Sequence, residues 1–263
     1  MLIVSCFSIN LNAQKVVVPD AEGNGKTEQS ADYKTQESIP QSDEVTTIHT
    51  LLDGKGMYNQ KKMMMGGYAG LSFLTAKLDT SLPSFIKSHI RKLQSGYSFG
   101  GFFRYYHAKP WGFGLKYAQF NSENTIENVY ATDSTRNVYT GKIKDDLSIR
   151  FFAASVGVLF TSNSEKFKFT SNIYLGYMTY NNDAIFFEPV NIKSSTVAVS
   201  WDAGISYVLD TDMDISLTLE RVGGVLTHME YETETEKTYV DLPEEEWSDI
   251  SRVDVSFNVV YKF

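Results

Sequence analysis

The chain's last twelve residues, Arg252-Val-Asp-Val-Ser-Phe-Asn-Val-Val-Tyr-Lys-Phe263, alternate between two kinds of side chain. Every second residue from Phe263 back to Val253 is apolar, and the residues between them are polar except Val260. Side chains of a β-strand point alternately to its two faces. The segment therefore predicts a strand with one apolar and one polar face, as in a membrane β-barrel whose apolar face meets lipid.

Seven earlier segments show the same alternation, and turn residues separate them. They are 67–76, 97–107, 111–118, 149–160, 167–177, 196–207 and 214–220. Most are close to the ~9–11 residues that a tilted membrane strand requires. Short connections follow the second, fourth and sixth segments, and long ones follow the first, third, fifth and seventh. This pattern predicts an all-β, eight-stranded antiparallel up-and-down transmembrane β-barrel over 63–263, closed by pairing of its first and last strands.

Aromatic residues gather at the ends of these segments, as expected for rings that favour both membrane interfaces. The set expected at the periplasmic rim is Tyr105, Trp111, Phe160, Phe167, Tyr207, Tyr261 and Phe263. The set expected at the outer rim is Tyr97, Tyr117, Tyr177 and Trp201. Two aromatic girdles favour a membrane barrel over the alternative of a soluble, lipocalin-like barrel, whose apolar side chains would point inward.

The bulk composition agrees with this fold and restricts the partners. The 263 residues carry a net charge of −8, which gives no electrostatic support for a nucleic-acid partner. The mean hydropathy of −0.24 suits a membrane barrel as well as a soluble protein, because half of each membrane strand is polar. The single cysteine, Cys6, cannot form a disulfide within the chain.

The N-terminal part differs from the rest. Residues 1–13 combine an apolar core with a small residue, Ala13, and predict a secretory signal peptide. The apolar core lacks a preceding basic stretch, which suggests a truncated or misplaced start; acylation of Cys6 is the alternative. Residues 14–62 are polar, acidic and without periodicity, and predict a disordered periplasmic tether, either a passive spacer or an interaction arm.

From Met63 onward the chain resembles the small outer-membrane β-barrel proteins of Bacteroidota, in the broad OmpA-like/PorT-like superfamily. The resemblance rests on the strand pattern, the alternation of loops, the junction at Asn12-Ala13-Gln14 and the terminal Phe263. It implies a location in the cell outer membrane of a Gram-negative bacterium. It also implies that the barrel-assembly machinery reads a C-terminal signal formed by Phe257, Val259, Tyr261 and Phe263.

The polar faces of the strands would collect charges of both signs in the lumen. The expected members are Arg104, Lys116, Asp202, Glu220 and Asp254, with Arg252 as a further candidate. Side chains fill an eight-stranded barrel, and buried charges need partners. The network would then be an ion-paired plug, in which Asp254 partners Arg104 or Lys116. The alternative is a narrow channel for small solutes.

The first long connection contains a predicted short amphipathic helix, Leu82–Leu93. Its apolar face comprises Leu82, Phe85, Ile86, His89, Ile90 and Leu93. Lys87, Arg91 and Lys92 lie on the other face, where they could contact the phosphates of lipopolysaccharide and other outer-membrane lipids. The alternative is a lid packed on the barrel mouth.

Two other long loops have distinctive compositions. Residues 227–249 are strongly acidic, and glutamates recur at every second position from Glu230 to Glu236, which predicts one acidic face of an extended strand. A cation site is one interpretation and a solvated acidic face the other. Residues 121–145 predict a tyrosine-bearing hairpin, a candidate surface for a protein partner.

Nothing in the sequence indicates a cofactor, a metal ligand set or a catalytic motif. Ser200, His228 and Asp202 contain the residue types of a hydrolase triad but match no motif. The expected function is therefore a non-enzymatic structural or interaction role through the external loops or the periplasmic arm. A channel and an outer-leaflet enzyme are the alternatives.

Overall fold

The computed structural model describes residues 62–78, 84–108, 110–132, 138–186 and 188–263. The predicted signal peptide and nearly all of the predicted tether lie outside these ranges. Within them, no helix is both long and apolar enough to cross a membrane.

Twelve strands and one α-helix make up most of the described chain. In order they are β1 (Met63–Leu74), α1 (Ser84–Leu93), β2 (Ser95–Ala108), β3 (Trp111–Thr132), β4 (Val138–Thr161), β5 (Phe167–Phe186), β6 (Glu188–Val208), β7 (Met213–Gly223), β8 (Val225–Leu226), β9 (His228–Glu232), β10 (Lys237–Asp241), β11 (Ser248–Asp249) and β12 (Arg252–Lys262). A 3₁₀ turn covers Glu244–Glu246.

Eight of these strands form a closed antiparallel ring, as predicted. Strands β1 to β7 each pair with the next, and β12 pairs with both β7 and β1. A path that starts at Ser95 on β2 and passes from each residue to its Cα partner on the next strand returns to β2 at Tyr105. The strand register is therefore shifted by ten residues in one circuit of the ring. Eight strands with this shift make a tilted barrel narrow enough for side chains to fill.

The outside of the ring is apolar over a limited height. On β4, every outward residue from Phe152 to Phe160 is apolar, and Arg150 ends the run. With a rise of ~3.3 Å per residue and a tilt of about 40°, this corresponds to a band roughly 20–25 Å high. The ends of the band carry the two predicted aromatic sets, whose members are exposed except for the half-buried Tyr105. Exposed aromatic and aliphatic side chains in such a band are suited to lipid.

The two ends of the ring differ. At the turn end, strands are joined by short connections, such as residues 162–166 and 209–212, and Phe263 pairs with Met63. At the loop end lie α1 and the long hairpins.

Strands β3 to β6 continue well beyond the ring at the loop end. They contain 20 to 24 residues, whereas β1, β7 and β12 contain 11 or 12. The sequence-based prediction of the lengths of these four strands was therefore wrong by about a factor of two. The predicted hairpin between the third and fourth strands is confirmed, with pairing up to Thr132 and Val138.

We call this sheet above the ring the outer extension: residues 121–132, 138–148, 179–186, 188–195 and the β9–β10 hairpin. Strand β9 joins it by pairing with β6 at Asn191–Lys193, and β10 pairs with β9. Unlike the ring below, the outer extension is open, since its sheet runs from β3 to β10 in the order β3-β4-β5-β6-β9-β10.

Candidate functional site

The centre of the lumen holds an ion pair between Arg104 on β2 and Asp202 on β6. Arg104 Nη2 lies 3.2 Å from Asp202 Oδ2, and the hydroxyl of Tyr174 donates to the same oxygen at 2.6 Å. Arg104 also donates to the Tyr174 hydroxyl at 2.8 Å, and Asn172 donates to Asp202 Oδ1 at 2.6 Å. All four side chains are buried, so Asp202 is fully hydrogen-bonded away from solvent.

A second buried pair joins Lys116 and Glu220. Lys116 Nζ lies 2.5 Å from Glu220 Oε2, and Ser200 donates to the other carboxylate oxygen. The ammonium group also lies 5.0 Å from the centre of the Tyr68 ring and 4.9 Å from that of Tyr174, which are cation–π distances. Tyr174 thus connects the two pairs into one network.

Asp254 differs from the expectation. Its carboxylate accepts from Arg252 Nε at 3.1 Å and from Ser72, and does not pair with Arg104 or Lys116. The prediction of its partner was therefore wrong. Arg252 and Asp254 are two residues apart on the same face of β12, so the alternation of a single strand places them side by side.

Three further charged residues at the turn end were not included in the expected network. Lys168 Nζ lies 2.8 Å and Lys262 Nζ 2.7 Å from the two oxygens of Asp214. Their inward direction was readable from the alternation of β5, β7 and β12. Tyr68, Tyr106 and Tyr174 lie on the inward faces of their strands by the same alternation, but they were not expected to contact the lumen charges, because an aromatic ring carries no formal charge that would mark it as a member of an ion-paired network.

The lumen is closed toward the loop end by an apolar layer above the ion pairs. Its buried members are Phe120, Ile149, Phe151, Met178, Val222, Leu226 and Ile250. The buried Arg252 lies at the same level, since it is the Cα partner of Val222 and its guanidinium is 5.9 Å from the centre of the Phe120 ring. The apolar layer therefore encloses one charged side chain.

Helix α1 is fixed to the outer extension by a buried histidine. His89 Nε2 lies 2.6 Å from Asp145 Oδ2 on β4, and Asn124 on β3 contacts His89 Nδ1 at 2.5 Å. Asn182 on β5 donates to the other oxygen of Asp145 at 2.6 Å. His89 thus connects α1 directly to β3 and β4, and through Asp145 to β5.

The predicted apolar face of α1 is only partly correct. His89, Ile90 and Leu93 are buried, but Phe85 is 48% exposed. Of the three cations expected at the lipid phosphates, Arg91 and Lys92 are exposed and Lys87 is half-buried.

The acidic loop forms the β9–β10 hairpin with two ion pairs across its face. Lys193 Nζ lies 2.6 Å from Glu232, and Lys237 Nζ lies 2.7 Å from Glu230. The hydrogen bond from Lys193 lowers the pKa of Glu232, and that to Glu230 raises the pKa of Lys237. Only Glu230 and Glu232 are on the strand, so the predicted strand with four glutamates on one face was wrong: Glu234 and Glu236 lie in the turn.

No metal or triad arrangement occurs in the part of the chain that the structure describes. It contains no group of three or more histidine, cysteine, aspartate or glutamate side chains that could hold a metal ion. Ser200 donates to Glu220, Asp202 pairs with Arg104, and His228 stacks on Tyr239 with ring centres 5.3 Å apart. These three residues therefore serve other contacts.

The residues of the expected assembly signal lie on the outer face of the barrel. Phe257, Val259, Tyr261 and Phe263 are all exposed. Phe263 and Met63 exchange two backbone hydrogen bonds of 2.9 and 3.1 Å at the junction of β12 and β1. Their role as a signal stays a prediction.

Comparisons with known proteins identify similar folds only. No family model matches the chain, and no curated protein matches it. Among solved structures, it is similar to the Neisserial surface protein A (13% identity, TM-score 0.46, covering 76% of this chain and 96% of that one). It is also similar to the outer membrane protein OprG from Pseudomonas aeruginosa (14% identity, TM-score 0.49, covering 78% of this chain and 96% of that one). A third similar structure is the outer membrane protease OmpT from Escherichia coli (7% identity, TM-score 0.43, covering 77% of this chain and 97% of that one).

The chain is an eight-stranded β-barrel of the cell outer membrane. A closed ring leaves no unpaired strand edge in lipid, and the apolar band between two aromatic girdles is the exterior that such barrels have.

Proposed function

We propose that the protein is a non-enzymatic interaction protein of the outer membrane, which binds a partner through the outer extension while its lumen stays closed. The observation that carries this proposal is the length of β3 to β6, which is about twice that of β1, β7 and β12. Strands of 11 or 12 residues suffice to cross the apolar band. The additional residues build a sheet outside it, and sheets of exposed polar and aromatic side chains are suitable contact surfaces.

The filled lumen supports the interaction role over the channel. The Arg104–Asp202 and Lys116–Glu220 pairs span the interior, and the apolar layer around Phe120 covers them. Passage of a hydrated ion would require separating a buried ion pair, which costs several kcal/mol.

We expect no steady conductance from the folded protein in planar bilayers. Heat-modifiable migration on gels establishes that the inserted protein is folded, and a channel-forming peptide added to the same bilayer serves as the positive control. Steady openings of ion size from the folded wild-type protein would contradict the closed lumen and favour a channel. If the protein were an outer-leaflet enzyme, an assay with the folded protein would instead detect turnover of lipid or peptide.

We also propose that α1 contacts the phosphates of lipopolysaccharide. Arg91 and Lys92 are exposed at the end of α1, just before β2 enters the band. Two outward cations, Arg150 on β4 and Arg221 on β7, lie near the same margin of the band. Each cation near an anionic membrane surface contributes roughly 1 kcal/mol to attraction.

Changing Lys87, Arg91 and Lys92 together to Gln should weaken lipopolysaccharide binding by roughly thirtyfold or more at low salt, since the two exposed cations contribute about 2 kcal/mol and the half-buried Lys87 adds less than a fully exposed cation. Binding is measured by titrating lipopolysaccharide against the protein in detergent micelles. The matched control is Lys62→Gln with Lys166→Gln, which removes exposed cations at the turn end. Equal affinity in both variants would reject the contact.

We further propose that the protein is one of the OmpA-like/PorT-like outer-membrane barrels of Bacteroidota. It is supported by the strand pattern and by the exposed aromatic residues of β12.

A further inference from the structure

Strand β10 lies at the edge of the outer extension. It is the last strand of the sheet order, and among the described residues only β9 pairs with it. Thr233 donates its amide to the carbonyl of Glu236, and Leu242 donates to Thr227. In an antiparallel pair, hydrogen-bonded and non-hydrogen-bonded residues alternate. Thr238 and Val240 therefore face β9 with their backbone groups, whereas Lys237, Tyr239 and Asp241 direct theirs away from the sheet.

The two edges of the outer extension differ in protection. At the β3 edge, α1 contacts the strand through His89 and Asn124. At the β10 edge, Lys237, Tyr239 and Asp241 are all exposed, and Tyr239 keeps 59% of its surface accessible. Proteins usually guard a free edge with lysine, proline or a covering segment. The one lysine of β10, Lys237, is neutralised by Glu230 at 2.7 Å.

The charge around this edge is strongly negative. Several exposed or half-buried carboxylates flank β10 and form no ion pair with a described residue: Glu234, Glu236, Asp241, Glu244, Glu245 and Glu246. Tyr239, stacked on His228, adds an aromatic surface that favours cations such as arginine. The edge therefore combines backbone hydrogen-bonding groups that no described residue occupies with an excess of negative charge.

We propose that β10 receives an extended basic segment of a partner protein as an added strand. The backbone of that segment would bond the free N–H and C=O groups of Lys237, Tyr239 and Asp241. Lysine or arginine at alternate positions would meet Asp241, Tyr239 and the neighbouring glutamates. This inference rests on the proposed interaction role and specifies the class of partner.

The test uses the full chain in lipid nanodiscs and two synthetic peptides of equal charge. One peptide, acetyl-Lys-Thr-Lys-Val-Lys-Thr-Lys-amide, can form a strand; in the other, the backbone nitrogens of the four lysines are methylated. The first peptide should bind and slow hydrogen exchange at the amides of Lys237, Tyr239 and Asp241. The second should bind at least tenfold more weakly, since lysines opposite Tyr239 and Asp241 direct their own N–H groups at β10, and methylation removes these donors.

Two variants separate the backbone contribution from the charge. Tyr239→Pro removes one outward N–H without removing a bond to β9, and should weaken binding of the first peptide at least tenfold. A variant that combines Asp241→Asn with Glu→Gln at residues 244, 245 and 246 should also weaken binding of this peptide, and this result does not depend on whether the proline variant disturbs the hairpin. Equal binding of both peptides, or no protection of the three amides, would overturn the added strand. Pairing of two copies of β10 without peptide would overturn the basic partner.

These outcomes are independent of the broader proposal. Steady conductance would contradict the interaction role, whereas a negative peptide result with a closed lumen would remove only β10 as the contact.

Discussion

Replacement of Asp202 by Ala should lower the free energy of unfolding by about 3–5 kcal/mol, the usual cost of breaking a buried ion pair by removing one partner. The substitution leaves the buried Arg104 guanidinium without its carboxylate. It also removes the acceptor for Tyr174 and Asn172. Desolvated cations and unpaired hydroxyl and amide groups all destabilise the folded barrel relative to the unfolded chain.

Urea-induced unfolding in lipid vesicles, followed by tryptophan fluorescence, measures this change. The control is Glu232→Gln, which breaks an ion pair with Lys193 whose side chains are nearly half exposed. We expect no measurable change for the control, because solvent screens exposed pairs. Arg104→Ala combined with Asp202→Ala should be less destabilising than the sum of the two single changes. A loss below 1 kcal/mol for Asp202→Ala would show that the pair does not stabilise the barrel.

The sequence determines the face of each lumen residue but not its partner. Alternation along the strand is local, so Arg104, Lys116, Asp202 and Glu220 could be directed inward from their own segments. Which of them meet depends on the shift of ten residues around the ring, which is a property of all eight strands together. Arg104 and Asp202 are 98 positions apart in sequence. Asp254 illustrates the same limit, because an equally suitable cation, Arg252, was two residues away.

The outer extension was underestimated for a different reason. Within the membrane, lipid demands an apolar outer face, and the alternation is visible. Beyond the band, water surrounds the sheet, so outward positions such as Glu123, Thr125 and Lys142 are polar and the pattern weakens. The β3–β4 and β5–β6 pairs persist there because their strands are already aligned by the ring below. Likewise, His89 on α1 is buried because its two ring nitrogens contact Asp145 and Asn124 on neighbouring strands. The sequence of the helix alone does not predict these contacts.

The largest effect of a single added side chain is expected at Gly100, which faces the lumen on β2. A Cβ atom there would lie 2.0 Å from the carbonyl oxygen of Tyr117 and 2.7 Å from the hydroxyl of Tyr68. The first contact is with backbone, so it cannot be relieved by a change of rotamer. The second would displace the Tyr68 ring, which packs against the ammonium group of Lys116.

Gly100→Val should therefore destabilise the barrel by several kcal/mol, above the ~1–3 kcal/mol typical of overpacking, because the clash involves the neighbouring strand itself. The folded fraction after refolding into vesicles, measured by heat-modifiable migration on gels, should fall accordingly. The matched control is Gly67→Val on β1, where an added Cβ would find only Gly100 O at 3.8 Å and would point outward. Valine is more favourable than glycine in a strand, and its apolar side chain is favourable on the lipid-facing surface. The control should therefore fold at least as well as the wild type. Equal folding of the two variants would mean that the lumen can accommodate a side chain at Gly100, and it would contradict the conclusion that the interior is filled by side chains.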